Sequence, residues 1–377
     1  MTRIADTLGH ARQAALLAAA RLTRGRPPNL VCHVTSRCSG RCRTCYHHDR
    51  LNAPAARELT LPEWERVAAR APFVVNLSLS GGEPFMRDDL AGIAGAFARH
   101  CRSLHVIGVS TNGLLPDAVE GGVAAMLGAL PRGVRLDLAL SLDGVGAQHD
   151  RIRGTKGAYR ALRETAARLQ RFRRGDGRFT LIARTTMCVS NQKNLAEIRR
   201  CALDLLGADR AYLSFPHGHA RVPGETAVDA ALFERLSREQ AADGLAGERS
   251  LAVRATVAMQ GRVSQRQAAI ALRGAAFRCA VPDALAVVAE DGEVLTCEER
   301  REGLGNLRDH GWSLEEVLRG PAAARFRREA RGSCRCSWYP GVLASLLTEP
   351  GEVVRAALSA ATSPLRRRRR PRPTRSS

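Results

Sequence analysis

Between Asn29 and Phe215, six strand-patterned segments alternate with helix-patterned ones, and that alternation leaves few folds open. Asn29 to Val34, Phe73 to Leu79, Leu104 to Val109, Val134 to Leu142, Phe179 to Met187 and Ala211 to Phe215 read as strands from their short apolar runs. Between them Leu90, Ile93, Ala94 and Phe97, then Tyr159, Leu162, Ala166 and Leu169, then Leu195, Ile198, Ala202 and Leu205 recur at helical spacing. A further helix is expected over Ala118 to Leu130. Thr60-Leu61-Pro62-Glu63 is a capping box with proline in the first turn, and it opens a helix with Leu61, Trp64, Val67 and Ala68 on one face. Strands that each lead into a helix run parallel, because the helix carries the chain back to the starting end. Six units fall short of the eight that close a standard barrel, so the expected α/β fold is an open six-unit (β/α)6 partial TIM barrel.

The segment from Val134 to Leu142 sets the facing. Val134, Leu136, Leu138, Leu140 and Leu142 share one face, and Asp137, Ala139, Ser141 and Asp143 share the other. In a barrel wrapped by helices the leucine face packs outward and the polar face looks into the lumen. The C-terminal rim of the strands is then the ligand side.

The rim after the first strand carries Cys38, Cys42 and Cys45 in the spacing Cys-x3-Cys-x2-Cys. Three thiolates on one short loop can ligate an iron–sulfur cube with one iron left open, since a cube normally takes four cysteines. They can also hold structural zinc with His33, His47 or His48 as the fourth ligand. A disulfide set is disfavoured by the odd count of 11 cysteines and the lack of a signal peptide. The next rim segment is Gly81-Gly82-Glu83-Pro84, where glycine lets backbone amides come close to a ligand. Ser110, Thr111 and Asn112 end the third strand, and Ser141 and Asp143 end the fourth. Beyond them stand His149-Asp150-Arg151-Ile152-Arg153-Gly154 and Lys156-Gly157-Ala158-Tyr159. The last strand runs into His217-Gly218-His219, for which substrate contact is favoured over metal because no further ligands cluster nearby in the sequence.

These motifs together resemble the radical S-adenosylmethionine (radical SAM) superfamily over residues 29 to 220, with the region around Arg153 closest to its peptide-maturase branches. The resemblance implies that Cys38, Cys42 and Cys45 hold a 4Fe-4S cluster whose open iron chelates the amino and carboxylate groups of S-adenosylmethionine. It implies that Gly81, Gly82, Glu83 and Pro84 hold the methionine amino group, and that Arg153 pairs with the methionine carboxylate, a task suited to a planar bidentate donor. Tyr46, Ser110, Asn112, Ser141 and Asp143 are the remaining expected cofactor contacts, the hydroxyl and carboxylate groups suiting a ribose. The implied reaction is reductive cleavage of S-adenosylmethionine to a deoxyadenosyl radical that abstracts a substrate hydrogen. It draws its electron from a reductase, ferredoxin or flavodoxin. No residue is singled out as a catalytic acid or base.

Beyond residue 250 the pattern changes. Cys279 precedes an apolar run from Ala284 to Ala289, then the tight-turn pair Asp291-Gly292, then Val294, Leu295 and Cys297. Gly305-Asn306-Leu307, a short helix around Leu314 to Leu318, and Cys334-Arg335-Cys336-Ser337-Trp338 follow. This resembles a twitch or SPASM-like module, a small C-terminal α+β iron–sulfur unit. Cys279, Cys297, Cys334 and Cys336 suffice for one fully ligated second 4Fe-4S cluster, and the same four thiolates fit tetrahedral zinc. Cys32, Cys101, Cys188 and Cys201 are expected in the core.

The formal charge of +21 comes from a chain in which only Lys156 and Lys193 are lysine, so the skew reads as coding bias toward arginine. Arg366 to Arg370 with Arg372 and Arg375 make a solvated tail. Aromatics are only 4% and none interleave a basic stretch, so no nucleic-acid partner is expected. The run Ala14 to Ala20, flanked by Arg12 and Arg21, is too short to span a bilayer, makes an amphipathic helix and leaves peripheral membrane contact open. The chain reads as cytoplasmic. Its expected units are an N-terminal helix and linker (1–28), a radical SAM core (29–250), an auxiliary-cluster unit (251–345), and a C-terminal helix with the Arg-rich tail (346–377). The expected substrate is a peptide, although the short stretch before the core leaves no room for a leader-binding domain. A small alcohol or sugar, oxidised with the second cluster as electron acceptor, is the alternative. A zinc-containing RNA-binding or scaffold protein is the non-enzymatic alternative.

Overall fold

The computed structural model describes residues 23–53 and 57–365. The expected N-terminal amphipathic helix and the Arg-rich tail lie outside the described residues.

The six expected parallel strands are β1 (Asn29–Thr35), β2 (Asn76–Gly81), β3 (Val106–Thr111), β4 (Arg135–Ser141), β5 (Phe179–Thr186) and β6 (Arg210–Ser214). They pair in simple sequential order, each parallel to the next. Between them run α1 (Leu61–Ala69), α2 (Leu90–His100), α3 (Pro116–Ala129), α4 (Ala147–Arg153), α5 (Ala158–Gly175) and α6 (Leu195–Arg200). The capping box at Thr60 is formed: the Thr60 amide donates to the Glu63 carboxylate at 2.8 Å. The period-two pattern of β4 is obeyed, with Leu136, Leu138 and Leu140 fully buried under the helices. Strand boundaries fall two or three residues later than expected at β2 and β3, because the chain leaving each preceding helix makes a turn, Ala71 to Val74 and Cys101 to Leu104, before it pairs.

Two features were not legible. Residues Ala230–Gly247 and Leu251–Arg273 form a helical hairpin, α7 and α8. With α11 (Tyr339–Leu347) and α12 (Pro350–Thr362) it encloses a second core of Leu245, Met259, Val263, Val342 and Leu346. Buried Arg254 ties this unit together, donating to the carbonyls of Leu245 on α7 and of Ala360 and Ser363 at the end of α12. It satisfies carbonyls that a helix C-terminus leaves without partners, and its charge opposes the negative helix ends.

The second feature is sheet continuity. The strands β7 (Leu285–Val288), β8 (Glu293–Leu295) and β9 (Gly303–Asn306) do not form a sheet of their own. β7 pairs parallel with β1, and β8 and β9 add antiparallel, giving one nine-stranded sheet ordered β6-β5-β4-β3-β2-β1-β7-β8-β9. The expected Asp291-Gly292 turn joins β7 to β8, with Gly292 at φ +89, a conformation that favours glycine. The short helices α9 (Leu314–Arg319) and α10 (Pro321–Ala330) cover the far end. The loop after β8 folds back to the residues after β1, where Arg301 donates to the Asp49 carboxylate at 2.7 Å and to the Tyr46 carbonyl.

Candidate active site

The loop after β1 is held from three sides. The amides of Arg41 and Arg43 donate to the carbonyls of Arg153 and Ile152 at 3.1 and 2.8 Å. Asn52 makes two hydrogen bonds to the backbone of Cys38, and the amides of Arg221 and Val222 donate to the carbonyls of Cys45 and Arg43. Gly154, at φ +63, lies so close that a methyl group there would run into the Arg41 carbonyl. The Sγ atoms of Cys42 and Cys38 flank a hollow over Gly40, where an added Cβ would stand 3.5 and 3.8 Å from them. Burial pushes the Cys38 thiol up and the Cys45 thiol up to about 11, with the neighbouring thiols adding to both shifts. Three cysteine sulfurs gathered on one short loop are a donor set for a multiply charged cation, and they fit a cluster.

Gly81 and Gly82 have a reason different from the one expected. At Gly82 a Cβ would strike the Arg37 carbonyl, and at Gly81 (φ +113) it would press on Thr35 and on His33. The close approach that requires glycine is therefore to the chain leading into the cysteine loop. The amides of Gly82 and Glu83 donate to the carbonyls of Thr35 and Arg37, both at 2.7 Å. Buried Glu83 accepts from the Thr111 hydroxyl at 2.8 Å and the Asn112 amide at 2.7 Å, tying the ends of β2 and β3 together, and Pro84 is buried in the single turn that follows. The Asn112 amide group reaches back to the loop, 3.4 Å from Ser39 Oγ and 3.9 Å from Cys38 Sγ.

Arg153 and Asp143, expected at opposite ends of the cofactor, share one ion pair of 2.9 Å. The other oxygen of Asp143 accepts from the Thr186 amide, and the Asp143 amide donates to His149 Nδ1. Burial, then the Arg153 charge, holds His149 down at about 4, so its ring is neutral and able to accept that bond. Burial works against the Arg153 charge, but Cys42 and Asp143 outweigh it and raise its proton affinity. Its buried Nε has no partner among the described residues. Ser141 is half-buried on the lumen face, in register with Arg184.

The lumen is a cavity of 530 Å³. Ser78, Ser80, Ser110, Thr186 and Ser214 contribute hydroxyls to a wall that is otherwise largely apolar, and α11 closes its lower end. At the mouth, the rings of Tyr46 and His217 lie 4.5 Å apart. Glu298, beside Cys297, faces both from the opposite side and accepts from His33 Nε2 at 2.8 Å. Burial opposes its charge, but the hydrogen bond from His33, the neighbouring His33 and His217 rings and the Tyr46 hydroxyl hold the carboxyl at about 2. His219 is exposed, whereas His217 lines the cavity. Glu298 and Arg184 were missed. The Thr-Cys-Glu-Glu sequence after β8 and the β5 alternation of Thr180, Ile182, Arg184 and Thr186 were the available signals.

The second cysteine set also converges. The Phe277 amide donates to the Cys334 carbonyl at 2.9 Å, drawing Cys279 toward the Cys334-Arg335-Cys336 turn, and the Sγ atoms of Cys334 and Cys336 are 3.5 Å apart. The Cys279 and Cys336 thiols beside it hold the Cys334 thiol below its usual range. All four sulfurs line a 240 Å³ hollow with Phe326 and Trp338, space and donors that suit a cluster. Cys32, Cys101, Cys188 and Cys201 are buried in the core, as expected.

Comparison with known proteins bears directly on these two cysteine sets. Residues 32–200 match the family model of the radical SAM superfamily, and residues 279–337 match that of the SPASM iron–sulfur cluster-binding domain. Residues 32–200 are a radical SAM domain and residues 279–337 a SPASM domain. The radical SAM domain brings a 4Fe-4S cluster and S-adenosylmethionine as cofactors, and the SPASM domain brings further iron–sulfur ligation near 279–336. The pre-heme d1 synthase of Dinoroseobacter shibae is 34% identical over 203 residues, 52% of this chain and 45% of that one. A PqqA peptide cyclase of Ruegeria pomeroyi is 32% identical over 239 residues, 62% of this chain and 58% of that one. The radical SAM chain thus spans about half the length of these curated relatives. Streptococcus suis SuiB shares the fold with a TM-score of 0.57 at 15% identity, covering 92% of this chain and 80% of that one. The structure titled native anSMEcpe with bound AdoMet matches with 0.57 at 12% identity, covering 89% and 97%. Among the described residues no helix is long and apolar enough to cross a membrane.

Proposed function

We propose that this protein reductively cleaves S-adenosylmethionine at the Cys38, Cys42, Cys45 site and uses the radical formed to modify a peptide oxidatively. The observation that carries the reading is the lumen cavity, whose walls include residues from both cysteine regions. Thr44 and Tyr46 come from the first, and Glu298 and Trp338 flank cysteines of the second. A substrate held there lies between the two. When bound, the first cluster and S-adenosylmethionine supply a deoxyadenosyl radical, and the second cluster supplies an acceptor for the electron left on the substrate.

The chain's own residues position and shield. Arg153, held by Asp143, presents its free Nε beside the cysteine loop, where the methionine carboxylate is proposed to sit. Glu83, Thr111 and Asn112 fix the second and third strand ends around the cofactor, with Gly81, Gly82 and Pro84 shaping the approach. Ser110 and Ser141 are the proposed ribose-side hydroxyls, and Tyr46 closes the mouth against water. Residues 29–250 act as the core barrel and 251–345 as the auxiliary-cluster unit, with an external iron–sulfur or flavin protein as electron donor.

A peptide is supported by the PqqA peptide cyclases among the relatives and by the SuiB structure titled as bound to precursor peptide SuiA. A second reading, a carboxylate-bearing small molecule, is favoured by Arg184. Its guanidinium enters the lumen, its buried Nε has no partner among the described residues, and relatives include a pre-heme d1 synthase and an Fe-coproporphyrin III synthase. The test is anaerobic turnover with dithionite, scoring 5′-deoxyadenosine and the substrate mass. Cleavage by the wild type and none by a Cys38, Cys42, Cys45 triple-alanine variant is expected. A two-hydrogen mass loss from a precursor peptide supports the first reading. Cleavage stimulated only by a polycarboxylate supports the second.

A further inference from the structure

Beneath the first cysteine loop, three buried side chains converge, each with at least one polar atom that has no hydrogen-bond partner among the described residues. His33 projects from β1, His47 follows Cys45 by two residues, and Glu290 comes from the turn between β7 and β8. They are 1%, 2% and 1% exposed. One ligand-capable atom from each lies within 4.8 Å of the other two. His33 Nδ1, both ring nitrogens of His47 and Glu290 Oε2 are buried without a hydrogen-bond partner among the described residues. Leaving one such group unsatisfied costs about 1 to 3 kcal/mol, so four atoms in one place call for an occupant.

The direction of the hydrogen bonds says what kind. His33 Nε2 faces the Glu298 carboxylate at 2.8 Å, so that nitrogen carries the proton and Nδ1 offers a lone pair inward. Glu290 Oε1 accepts from Arg50 at 3.2 Å, and its other oxygen turns inward. His33 and Glu290 therefore both turn acceptors to the centre, and a neutral His47 has one ring nitrogen with a lone pair to add. A carboxylate behind a histidine, with the opposite ring nitrogen facing inward, is how proteins orient metal-ligating imidazoles. Two imidazoles and one carboxylate suit zinc and its first-row neighbours.

We propose that His33, His47 and Glu290 bind a divalent first-row metal ion, with zinc as the reference occupant, separate from both cysteine sets. Its three ligands come from β1, from the end of the first cysteine loop, and from the hairpin that leads to Cys297. The ion pins the loop carrying Cys45 to the hairpin carrying the second set, and so fixes one cysteine region against the other. The proposal does not rest on the reaction proposed above.

The test uses the full chain after anaerobic reconstitution with iron and sulfide, incubated with one equivalent of Zn²⁺ and desalted. Metal content and X-ray absorption at the zinc edge are then measured. Zinc in a cysteine site shows sulfur near 2.3 Å, whereas zinc here shows only nitrogen and oxygen near 2.0 to 2.2 Å. The expected result is about one zinc per chain with no sulfur scatterer. Glu290→Gln and His47→Asn should each weaken its retention at least tenfold while iron content stays at the wild-type level. Wild-type protein that retains no zinc, or holds it with sulfur ligands, overturns the proposal. So does an ordered water alone at this position in a crystal grown with zinc. Retention unchanged in an iron-loaded Glu290→Gln variant overturns the ligand set.

Discussion

The Arg153 guanidinium donates to the Asp143 carboxylate at 2.9 Å, from the end of α4 to the end of β4. One arm of the arginine is thereby occupied, and its buried Nε stays free beside Cys38 and Cys42. Arg153→Lys replaces a fixed planar donor with a point charge and should weaken S-adenosylmethionine binding by ~1 to 3 kcal/mol. Asp143→Asn should weaken it in the same direction, by leaving the arginine without its anchor. Equilibrium dialysis of the cluster-loaded variants checks both. An unaltered dissociation constant in Arg153→Lys moves the carboxylate contact elsewhere.

Much of this site was legible because its parts announce themselves in sequence. Cysteine spacing, glycines after a strand and the leucine parity of β4 each follow from a local rule. The Arg153–Asp143 pair was not legible as a pair, since ten residues and a helix separate two side chains that meet only in three dimensions. The continuous sheet was missed for a related reason. β7 is an apolar run of four residues, and nothing local says that its partner is β1, over two hundred residues earlier. The α7 and α8 hairpin escaped because its faces are rich in alanine, glutamine and arginine, so its apolar stripe is faint.

Gly154 makes a sharper prediction. Its φ of +63 and the Arg41 carbonyl lying against its Cα leave no room for a side chain. Gly154→Ala should cost on the order of 1 to 3 kcal/mol in local stability. The loss should fall on the first cysteine loop, so iron bound at Cys38, Cys42 and Cys45 should drop while the second site stays loaded. Full iron content in the variant contradicts this.

Arg254 should behave as a structural staple for the helical unit. Arg254→Met keeps much of the packing but removes the donors to Leu245, Ala360 and Ser363. Leaving buried carbonyls unpaired should cost ~2 to 4 kcal/mol. Hydrogen exchange checks it: protection should fall across residues 230–273 and 350–362 and hold in β1 to β5. Uniform protection would refute the role.

Acid should loosen the contact between α1 and the segment after β9. Hydrogen bonds from Arg308, and then from Thr60, hold the Glu63 carboxyl at about 2 against an ordinary value of 4.5. A carboxyl depressed in the folded state stabilises above its unfolded value and loses that contribution as pH falls from 4.5 toward 2. With solvent screening the contribution is about 1 kcal/mol. Glu63→Gln should lower the melting temperature at pH 7 and flatten its fall between pH 4.5 and 2. Parallel wild-type and variant profiles would contradict the assignment.

The central claim is that the two cysteine sets hold two different clusters, only the first of them open to S-adenosylmethionine. Iron content and paramagnetic resonance of two reduced variants test it most directly: Cys38, Cys42 and Cys45 all to alanine, and Cys279, Cys297, Cys334 and Cys336 all to alanine. Each should retain about four irons, the content of one cube. The second variant's signal should shift when S-adenosylmethionine is added, and the first variant's should not. Zinc in place of iron at Cys279, Cys297, Cys334 and Cys336, or a signal shift in the first variant, would contradict the account.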